Sequence, residues 1–209
     1  MKTQARWIAR IAIVSSAVLV AVTVGLPVVH GQAAHVRWDI INLTPGPTVN
    51  PGGQASAMNN IGETITFTGT GTFVDPSGRG GTSSAVTGGG NWTITTASGS
   101  SSGTYEVRGL VRFEEAPGVF PGAVDNIGSP ADFRSGLAVL RIEYNDGELG
   151  ILVVSCSLVG SPATIFEGIT ASKGFTDFWK AQPPSGSPTT ANANRTLFHV
   201  GSEEEEEKD

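Results

Sequence analysis

The chain has 209 residues, with 13 Lys and Arg against 19 Asp and Glu and a formal net charge of −6 at pH 7. This acidic balance excludes a protein that binds nucleic acid or an anionic membrane through a broad basic surface. Cys156 is the single cysteine, so an exported chain would gain no internal disulfide, and its stability must come from a hydrophobic core.

The N-terminus has the pattern of a secretory signal peptide. Three basic residues precede an uncharged, mostly apolar run over 11–29, and small residues follow it. We predict a signal peptide over 1–33 and a mature protein that is secreted, periplasmic or at the cell surface, with no membrane association after cleavage. The alternative is a retained single-span anchor, because a span needs ~20 apolar residues. Gly25 and Pro27 favour cleavage, since they break a helix where the apolar run ends.

The rest of the chain predicts one all-β domain over 34–181. Apolar and polar residues alternate in segments bounded by Gly, Pro, Asn and Asp. The predicted strands cover 35–43, 63–74, 85–96, 103–115, 136–145, 149–159 and 164–171. Seven or eight strands fit a single antiparallel β-barrel or a β-sandwich, and glycines inside neighbouring strands favour the barrel slightly.

The strand predicted over 63–74 carries a threonine at every second position from 64 to 72. Period two places these hydroxyls on one face, where they would form an array facing ice or a polysaccharide. A flat array needs several adjacent strands, and only Thr93 and Thr95 indicate a second one, while sheet twist opposes planarity. On the other face, Gly69 and Gly71 interrupt the apolar residues, either to bend the strand or to leave room for a ligand.

The segment "YNDGELG" predicts a tight turn that makes 136–145 and 149–159 antiparallel neighbours. The second of these strands is apolar on both faces, so we expect it at the centre of the core, with Cys156 as a buried small hydrophobe rather than a nucleophile. Glu143, Asp146 and Glu148 around the turn would either hold calcium weakly or form a plain solvated turn.

Three long connections, 44–62, 75–84 and 116–135, predict a binding site if they gather at one end of the sheet. After them, the spacing of Phe175, Phe178 and Trp179 predicts a short helix over 172–181. Its aromatic face would be a lid on the core or an exposed binding patch.

Residues 182–209 are predicted to be an extended, mostly disordered acidic tail, in which "TLFHV" has the pattern of a last strand.

Catalytic motifs are missing from the sequence. Only His35 and His199 follow residue 33, and no HExxH, CxxC, EF-hand, GxSxG or phosphate-loop pattern can be written. We therefore predict no metal and no cofactor. Glu167 is a lone acid between Ile165 and Ile169, so it must be paired, with Arg141 or Arg112, or have a raised pKa if that face is buried.

Four stretches, "VTGGGNWTI", "GTYEVRGLVRFEEAPG", "GLAVLRIEYNDGELGILVVSC" and "EGITASKGFTDFW", resemble those of a group of small secreted bacterial all-β proteins with no assigned activity. The resemblance covers about 85–181. It implies a secreted, single-domain bacterial protein and transfers no functional residue.

The function predicted from these observations is an exported, non-enzymatic β-domain that binds a small apolar ligand, a glycan or a protein partner at its loop end. The candidate ligand-binding residues are Trp92, Tyr105, Glu167, Phe178 and Trp179. One alternative is a β-barrel enzyme, an isomerase or cyclase, that works through the carboxylate of Glu167. A minor alternative is ice or polysaccharide binding by the threonine array.

Overall fold

The computed structural model describes residues 33–75, 81–184 and 193–201, which belong to one compact unit spanning 31–209. The predicted signal sequence up to residue 32 and the acidic end of the tail lie outside these residues. Within the described ranges, no helix is both long enough and apolar enough to cross a membrane.

The described chain consists of strands and turns with one short 3-10 helix, which confirms the predicted all-β class. The strands are β1 (Ala34–Thr44), β2 (Thr48–Asn50), β3 (Ala55–Met58), β4 (Thr64–Phe67), β5 (Thr70–Asp75), β6 (Val86–Thr96), β7 (Gly99–Ala116), β8 (Val124–Asp125), β9 (Phe133–Tyr144), β10 (Leu149–Cys156), β11 (Gly168–Lys173), β12 (Thr176–Phe178), β13 (Lys180–Ala181) and β14 (Arg195–Gly201). The 3-10 helix covers Pro130–Asp132.

Six of these strands close into an antiparallel barrel in the order β1, β5, β6, β7, β9 and β14. β14 completes the ring, because Phe198 pairs with Trp38 of β1 on one side and with Arg134 of β9 on the other. The closed barrel confirms the preference for a barrel over an open sandwich.

The remaining strands extend this barrel. β10, β11 and β12 continue the sheet outward from β9, and β4, β3 and β13 continue it from β6. The turn between β9 and β10 has Gly147 at φ +85°, and the two strands pair as the "YNDGELG" segment predicts. β2 pairs with the end of β1 and forms a parallel pair with β8. Because β2 lies in the connection 44–62 and β8 in the connection 116–135, this pair brings two of the three long connections together.

Aromatic side chains fill the barrel. Trp38, Phe73, Phe113 and Phe198 are at most 4% exposed, and the rings of Phe73 and Phe198 each lie 5.2 Å from that of Phe113. Cys156 is also buried, and burial raises the pKa of its thiol well above the usual value. This confirms its expected role as a small core residue.

The single strand predicted over 63–74 is two strands in the structure. β4 pairs with β3, and β5 crosses to β1, while both lie along the same edge of β6. The chain leaves the ladder at Thr68 and Gly69, where β4 ends and β5 begins. The glycine therefore marks a bend between two neighbours, as its position inside a strand pattern allows.

The helix predicted over 172–181 is wrong, because this segment forms a β-hairpin. β11 and β12 pair with Lys173 opposite Thr176, which leaves Gly174 and Phe175 as a two-residue turn. Gly174 has φ +55°, the conformation that favours glycine at the first central position of such a turn. The helical spacing of the aromatic residues was misleading, since Phe175 lies at the tip and Phe178 in the core.

The domain boundary at 181 is too early. "TLFHV" lies within β14, a central barrel strand whose Leu197 and Phe198 are fully buried. The strand that the pattern predicted is therefore present and essential to barrel closure. Residues 185–192 and 202–209 of the predicted tail lie outside the described residues.

Other strand limits shift by a few residues. β7 and β9 begin earlier than predicted, at Gly99 and Phe133. β10 ends at Cys156, and β11 covers Gly168–Lys173 rather than 164–171. As a result, Glu167 lies in the loop immediately before β11 and not within a strand.

A pocket between the barrel wall and the 117–121 loop

A pocket of about 100 Å³ lies on the flank of the barrel, where the chain after β7 passes over β1 and β14. Its walls are mostly apolar, and its polar side chains come from three segments of the chain. The lining residues are Ile41, Leu43, Val119, Phe120, Ser157, Leu158, Val159, Glu167, Arg195, Thr196 and Leu197. An apolar concavity with a few convergent polar groups is the usual form of a small-ligand site.

Backbone hydrogen bonds hold the covering loop in place. Val119 and Val159 form an isolated antiparallel bridge, with N–H···O distances of 3.0 and 3.1 Å. Phe120 packs on Phe133, with ring centroids 6.0 Å apart. Since Val119 and Val159 are 58% and 67% exposed, this bridge forms the rim of the pocket and its solvent-facing side.

Farther along, a contact between Asp125 and His199 anchors the same connection to β14. The carboxylate of Asp125 is fully buried and lies 2.8 Å from Nε2 of His199. It also accepts hydrogen bonds from the amides of Ile127 and Gly128. Sequence analysis gave neither Asp125 nor His199 a role, because 74 residues separate them and their contact depends on β14 joining the barrel.

Glu167 bridges two strand segments at the bottom of the pocket. The amide of Ser157, just after β10, donates to Oε2 at 2.7 Å, and the amide of Thr196 in β14 donates to Oε1 at 2.8 Å. β14 pairs with β9 only through residues 198 and 199. The Thr196 amide lies before this pairing begins, and it donates to the Glu167 carboxylate instead of to β9. A buried amide without an acceptor would destabilise the fold, and Glu167 supplies that acceptor.

Burial raises the pKa of Glu167 to about 7. The two amides and the nearby charge of Arg195 act in the opposite direction, but they do not cancel the cost of removing a carboxylate from water. The pKa of Cys156 is raised mainly by burial and, to a smaller extent, by the charge of the Glu167 carboxylate. Near neutral pH, Glu167 therefore exists in both protonation states, and this part of the sequence prediction, a raised pKa, agrees with the structure.

Arg195 contributes a buried donor to the same pocket. It pairs with Ile41 in the ladder between β14 and β1, and its Nε is buried. In the part of the chain that the structure describes, this Nε has no hydrogen-bond acceptor. Arg195, not Arg141 or Arg112, is the arginine whose charge acts on the pKa of Glu167, which corrects the predicted pairing.

The five candidate ligand-binding residues do not come together. Glu167 alone lines the pocket. Trp92, Tyr105 and Phe178 are at most 5% exposed and belong to the core, where strand alternation places them. Trp179 is exposed, and its indole donates to Oδ1 of Asn60 at 3.1 Å.

Trp92 instead helps to enclose a lysine. Nζ of Lys173 lies 4.9 Å from the centroid of Trp92 and 5.0 Å from that of Tyr144. It pairs with Asp146 at 2.5 Å and with Glu148. Two of the three acids considered as a weak calcium site thus surround an ammonium group, and Glu143 pairs with Arg108. Within the described ranges, no group of three or more His, Cys, Asp or Glu side chains could hold a metal ion.

The threonine ladder continues across neighbouring strands. Thr64 pairs with Thr95 and Thr66 with Thr93, and these β6 residues pair in turn with Ser100 and Ser102 of β7. The residues between them on β4 and β6, Ile65 and Ile94, pack against the core, whereas Ser101 on β7 is exposed. Where these residues pair, β4, β6 and the start of β7 therefore present an uncharged hydroxyl face, and a separate pair of hydroxyls, Thr72 and Thr87, lies 2.7 Å apart between β5 and β6.

Sequence reasoning missed most of the pocket. Arg195 and Thr196 lie in the segment assigned to the tail, and Ser157 contributes through its backbone amide, which carries no side-chain signature. The alternation in "TLFHV" was the available signal. Comparison with protein-family models, curated proteins and solved structures finds no match to this chain. The resemblance to a group of secreted bacterial proteins therefore stays a prediction.

Proposed function

We propose that this protein is an exported binding module that takes a small, mostly apolar ligand with one polar group in the pocket above Glu167. The observation that carries the proposal is the combination of apolar walls with two ionisable side chains, Glu167 and Arg195, at one concave site. Export is supported by the basic and apolar pattern at the N-terminus.

The size of the pocket limits the ligand. An apolar cavity of about 150 Å³ is large enough for benzene. A pocket of about 100 Å³ therefore accommodates roughly four to six non-hydrogen atoms, and a longer ligand would extend past the rim. The apolar walls would supply most of the binding free energy, and the polar group would set the orientation.

NMR titration of the labelled protein tests this proposal. We expect isobutanol, a neutral probe of suitable size, to shift the amide resonances of Ser157, Thr196 and Val119, which lie in or on the pocket. Shifts confined to amides elsewhere, or no saturable shifts, would contradict the proposed site.

A matched pair of substitutions separates specific from diffuse binding. Val159→Trp places a large ring at the rim of the pocket and should abolish the shifts. Val124→Trp adds the same ring at a position that is 52% exposed and outside the pocket, so it should leave the titration unchanged.

An enzyme that works through Glu167 is the alternative to binding. A carboxyl with a pKa of about 7 suits general acid–base chemistry at neutral pH. Against this, each oxygen of Glu167 already accepts a backbone amide that holds β10 and β14 together. This double anchoring favours a binding and structural role for the carboxylate.

The hydroxyl face supports a second candidate function, which is binding of a polysaccharide. Three adjacent strands present Thr or Ser in register, the arrangement that the sequence alone indicated for only two strands. The rows repeat every ~6.8 Å along a strand, and hydroxyls both donate and accept hydrogen bonds. A chain of sugar units can follow the twist of a sheet, whereas an ice surface cannot, so the face favours a polysaccharide.

Co-sedimentation with insoluble cellulose and chitin tests the second candidate. A Thr93→Lys, Thr95→Lys double substitution should remove the protein from the pellet. Thr176→Lys, on an exposed position of β12, is the control and should not. Equal pelleting of both variants would contradict binding through the hydroxyl face, and thermal hysteresis in the purified protein would indicate ice instead.

A further inference from the structure

The guanidinium of Arg195 has a buried hydrogen-bond donor, its Nε–H, at the pocket. Its buried Nε–H has no acceptor among the described residues, and a buried donor left without a partner destabilises the folded state. No ion pair of Arg195 is formed with any carboxylate in the ranges 33–75, 81–184 and 193–201. Because this Nε is buried, a ligand that brings an acceptor to it must displace a neighbouring group, and it would then satisfy the donor.

Glu167 does not accept a hydrogen bond from Nε of Arg195, although it lines the same pocket. Its two oxygens accept the amides of Ser157 and Thr196, and Arg195 acts on the pKa of Glu167 through its charge, with no ion pair between the two among the described residues. The pocket thus presents an acid and a guanidinium side by side, neither of which is neutralised by contact with the other.

We propose that the ligand of this pocket is a short-chain carboxylic acid, with its carboxylate on Arg195, its alkyl part against the apolar walls, and Glu167 in its protonated form beside it. The inference rests on the proposed function and names the ligand class for the same site. A charge-assisted hydrogen bond to a guanidinium is about twice as strong as one between neutral groups, so a carboxylate is the acceptor that Arg195 favours most.

The proton on Glu167 is necessary because two carboxylates at one site repel each other. The charged and titratable groups that act on Glu167 are Arg195 from β14 and Cys156 from β10, and the thiol is neutral because burial raises its pKa. Burial raises the pKa of Glu167 to about 7, so both protonation states are present near neutral pH. An incoming anion favours the protonated form further, and binding therefore takes up a proton.

Isothermal titration calorimetry of the full chain with isobutyrate and with isobutanol tests the ligand class. The two probes have similar apolar bodies and differ in the head group. We expect isobutyrate to bind at least about tenfold more tightly than isobutanol, as a charge-assisted bond implies. We also expect its affinity to fall by about thirtyfold between about pH 6 and about pH 8.5, with proton uptake visible as a dependence on the ionisation enthalpy of the buffer.

Three substitutions locate the effect. Arg195→Gln removes the charge and should bring isobutyrate to the affinity of isobutanol. Arg195→Lys keeps the charge without the Nε donor and should retain part of the preference. Arg134→Gln removes a surface arginine that pairs with Glu115 and is the control, with no expected change. Thermal unfolding of each variant shows whether it is folded. If Arg195→Gln does not fold, the affinity of Arg195→Lys for isobutyrate tests the role of Arg195.

The outcomes separate this inference from the proposed function. Equal binding of both probes, at any pH, would overturn the carboxylate ligand and leave a pocket for apolar ligands. Binding of isobutyrate that survives both Arg195 substitutions would also overturn it. If neither probe shifts the amides of Ser157 and Thr196 at saturating concentration, the pocket is not a ligand site, and both proposals fail.

Discussion

A Cβ atom added to Gly69 would lie 2.1 Å from the phenolic oxygen of Tyr105. That hydroxyl donates a hydrogen bond to the carbonyl of Thr68 at 3.0 Å, and Tyr105 is 2% exposed. A Cβ at Gly71 would meet first the backbone carbonyl of Thr87 on the neighbouring strand, and then Nε1 of Trp38 at 2.8 Å. The space left by the two missing side chains is therefore filled by the Tyr105 ring at Gly69 and by the neighbouring strand and Trp38 at Gly71, and not left open for a ligand.

Substitution of Gly69 by alanine should lower the free energy of unfolding by about 2–3 kcal/mol, measured by chemical denaturation. The new methyl group would collide with a side chain that cannot move away easily, because the Tyr105 ring packs edge-on against Phe67 at 5.0 Å. The backbone of Gly69 at φ +159° adds to the cost, since residues with a side chain rarely adopt this conformation.

Removal of the hydroxyl provides the test of this mechanism. Tyr105→Phe alone should cost about 1 kcal/mol through its lost hydrogen bond, but in the Gly69→Ala background it should cost less or restore stability. Gly201→Ala is the control, because a Cβ at Gly201 meets nothing within 4 Å. Strictly additive effects of the two substitutions would contradict the contact as the cause.

The barrel could be predicted from the sequence because its strands carry local signals. Alternation located β1, β6 and β7, and the Asn-Asp-Gly turn joined β9 to β10. The strand pairs that close the barrel could not be predicted, because they involve β14, whose partners lie about 160 and 65 residues earlier in the chain. The short strands β2, β8 and β13 carry too few residues for any periodicity and exist because a neighbour pairs with them.

The pocket was less predictable than the fold. Glu167 stood out as a lone acid in an apolar context, and that anomaly was informative. Its partners are backbone amides and an arginine from β14, which no residue pattern near Glu167 could identify. Trp92, Tyr105 and Phe178 were chosen because aromatic residues often line binding sites, but in strands of a small barrel the same residues more often fill the core.

Alanine substitution of Phe175 and Phe178 distinguishes the hairpin from a helical lid. Phe178→Ala should cost about 3–5 kcal/mol, because Phe178 is fully buried. Phe175→Ala should change stability by less than about 0.5 kcal/mol, since Phe175 is fully exposed at the turn. Urea denaturation of both variants measures the difference. A helix with one buried aromatic face would instead make both substitutions costly.

Lys173→Met should destabilise the protein by about 1–3 kcal/mol. Burial lowers the pKa of Lys173, but Asp146 and Glu148 outweigh it, so the net shift is upward and the ammonium group stays charged. Methionine keeps the apolar stem and loses both ion pairs and the contacts with the Trp92 and Tyr144 rings. Lys180→Met, at an exposed position of β13, is the control.

The salt dependence of this loss identifies its origin. The carboxylates of Asp146 and Glu148 are about half exposed, so high salt should weaken their contribution but leave the ring contacts. In 1 M salt the Debye length is about 3 Å, so ion pairs are strongly screened. If the stability lost in Lys173→Met disappears completely under these conditions, the aromatic rings contribute nothing.

Glu167→Gln should remove a pH dependence of stability that the wild-type protein possesses. The pKa of Glu167 is about 7 in the folded chain, above the ordinary value of 4.5. Between these values the folded state holds a proton that the unfolded state has released, so stability falls as pH rises from about 4.5 to about 7. The fall amounts to about 3 kcal/mol, because each pKa unit corresponds to about 1.4 kcal/mol.

Denaturation of wild type and Glu167→Gln between about pH 4.5 and about pH 8 measures this contribution as the difference in the free energy of unfolding. Glutamine has one side-chain oxygen in place of two, so it cannot accept the Ser157 and Thr196 amides as the carboxylate does, and the variant is less stable than wild type at acidic pH. Because wild type loses stability as pH rises, the difference in the free energy of unfolding between the two proteins should shrink or reverse sign. Glu106→Gln, with an exposed side chain on β7, provides the baseline. A difference that stays constant over this range would mean that the carboxyl of Glu167 titrates alike in the folded and unfolded chain. The proton uptake proposed for carboxylate binding would then fail with it, because it requires a carboxyl that remains protonated at neutral pH.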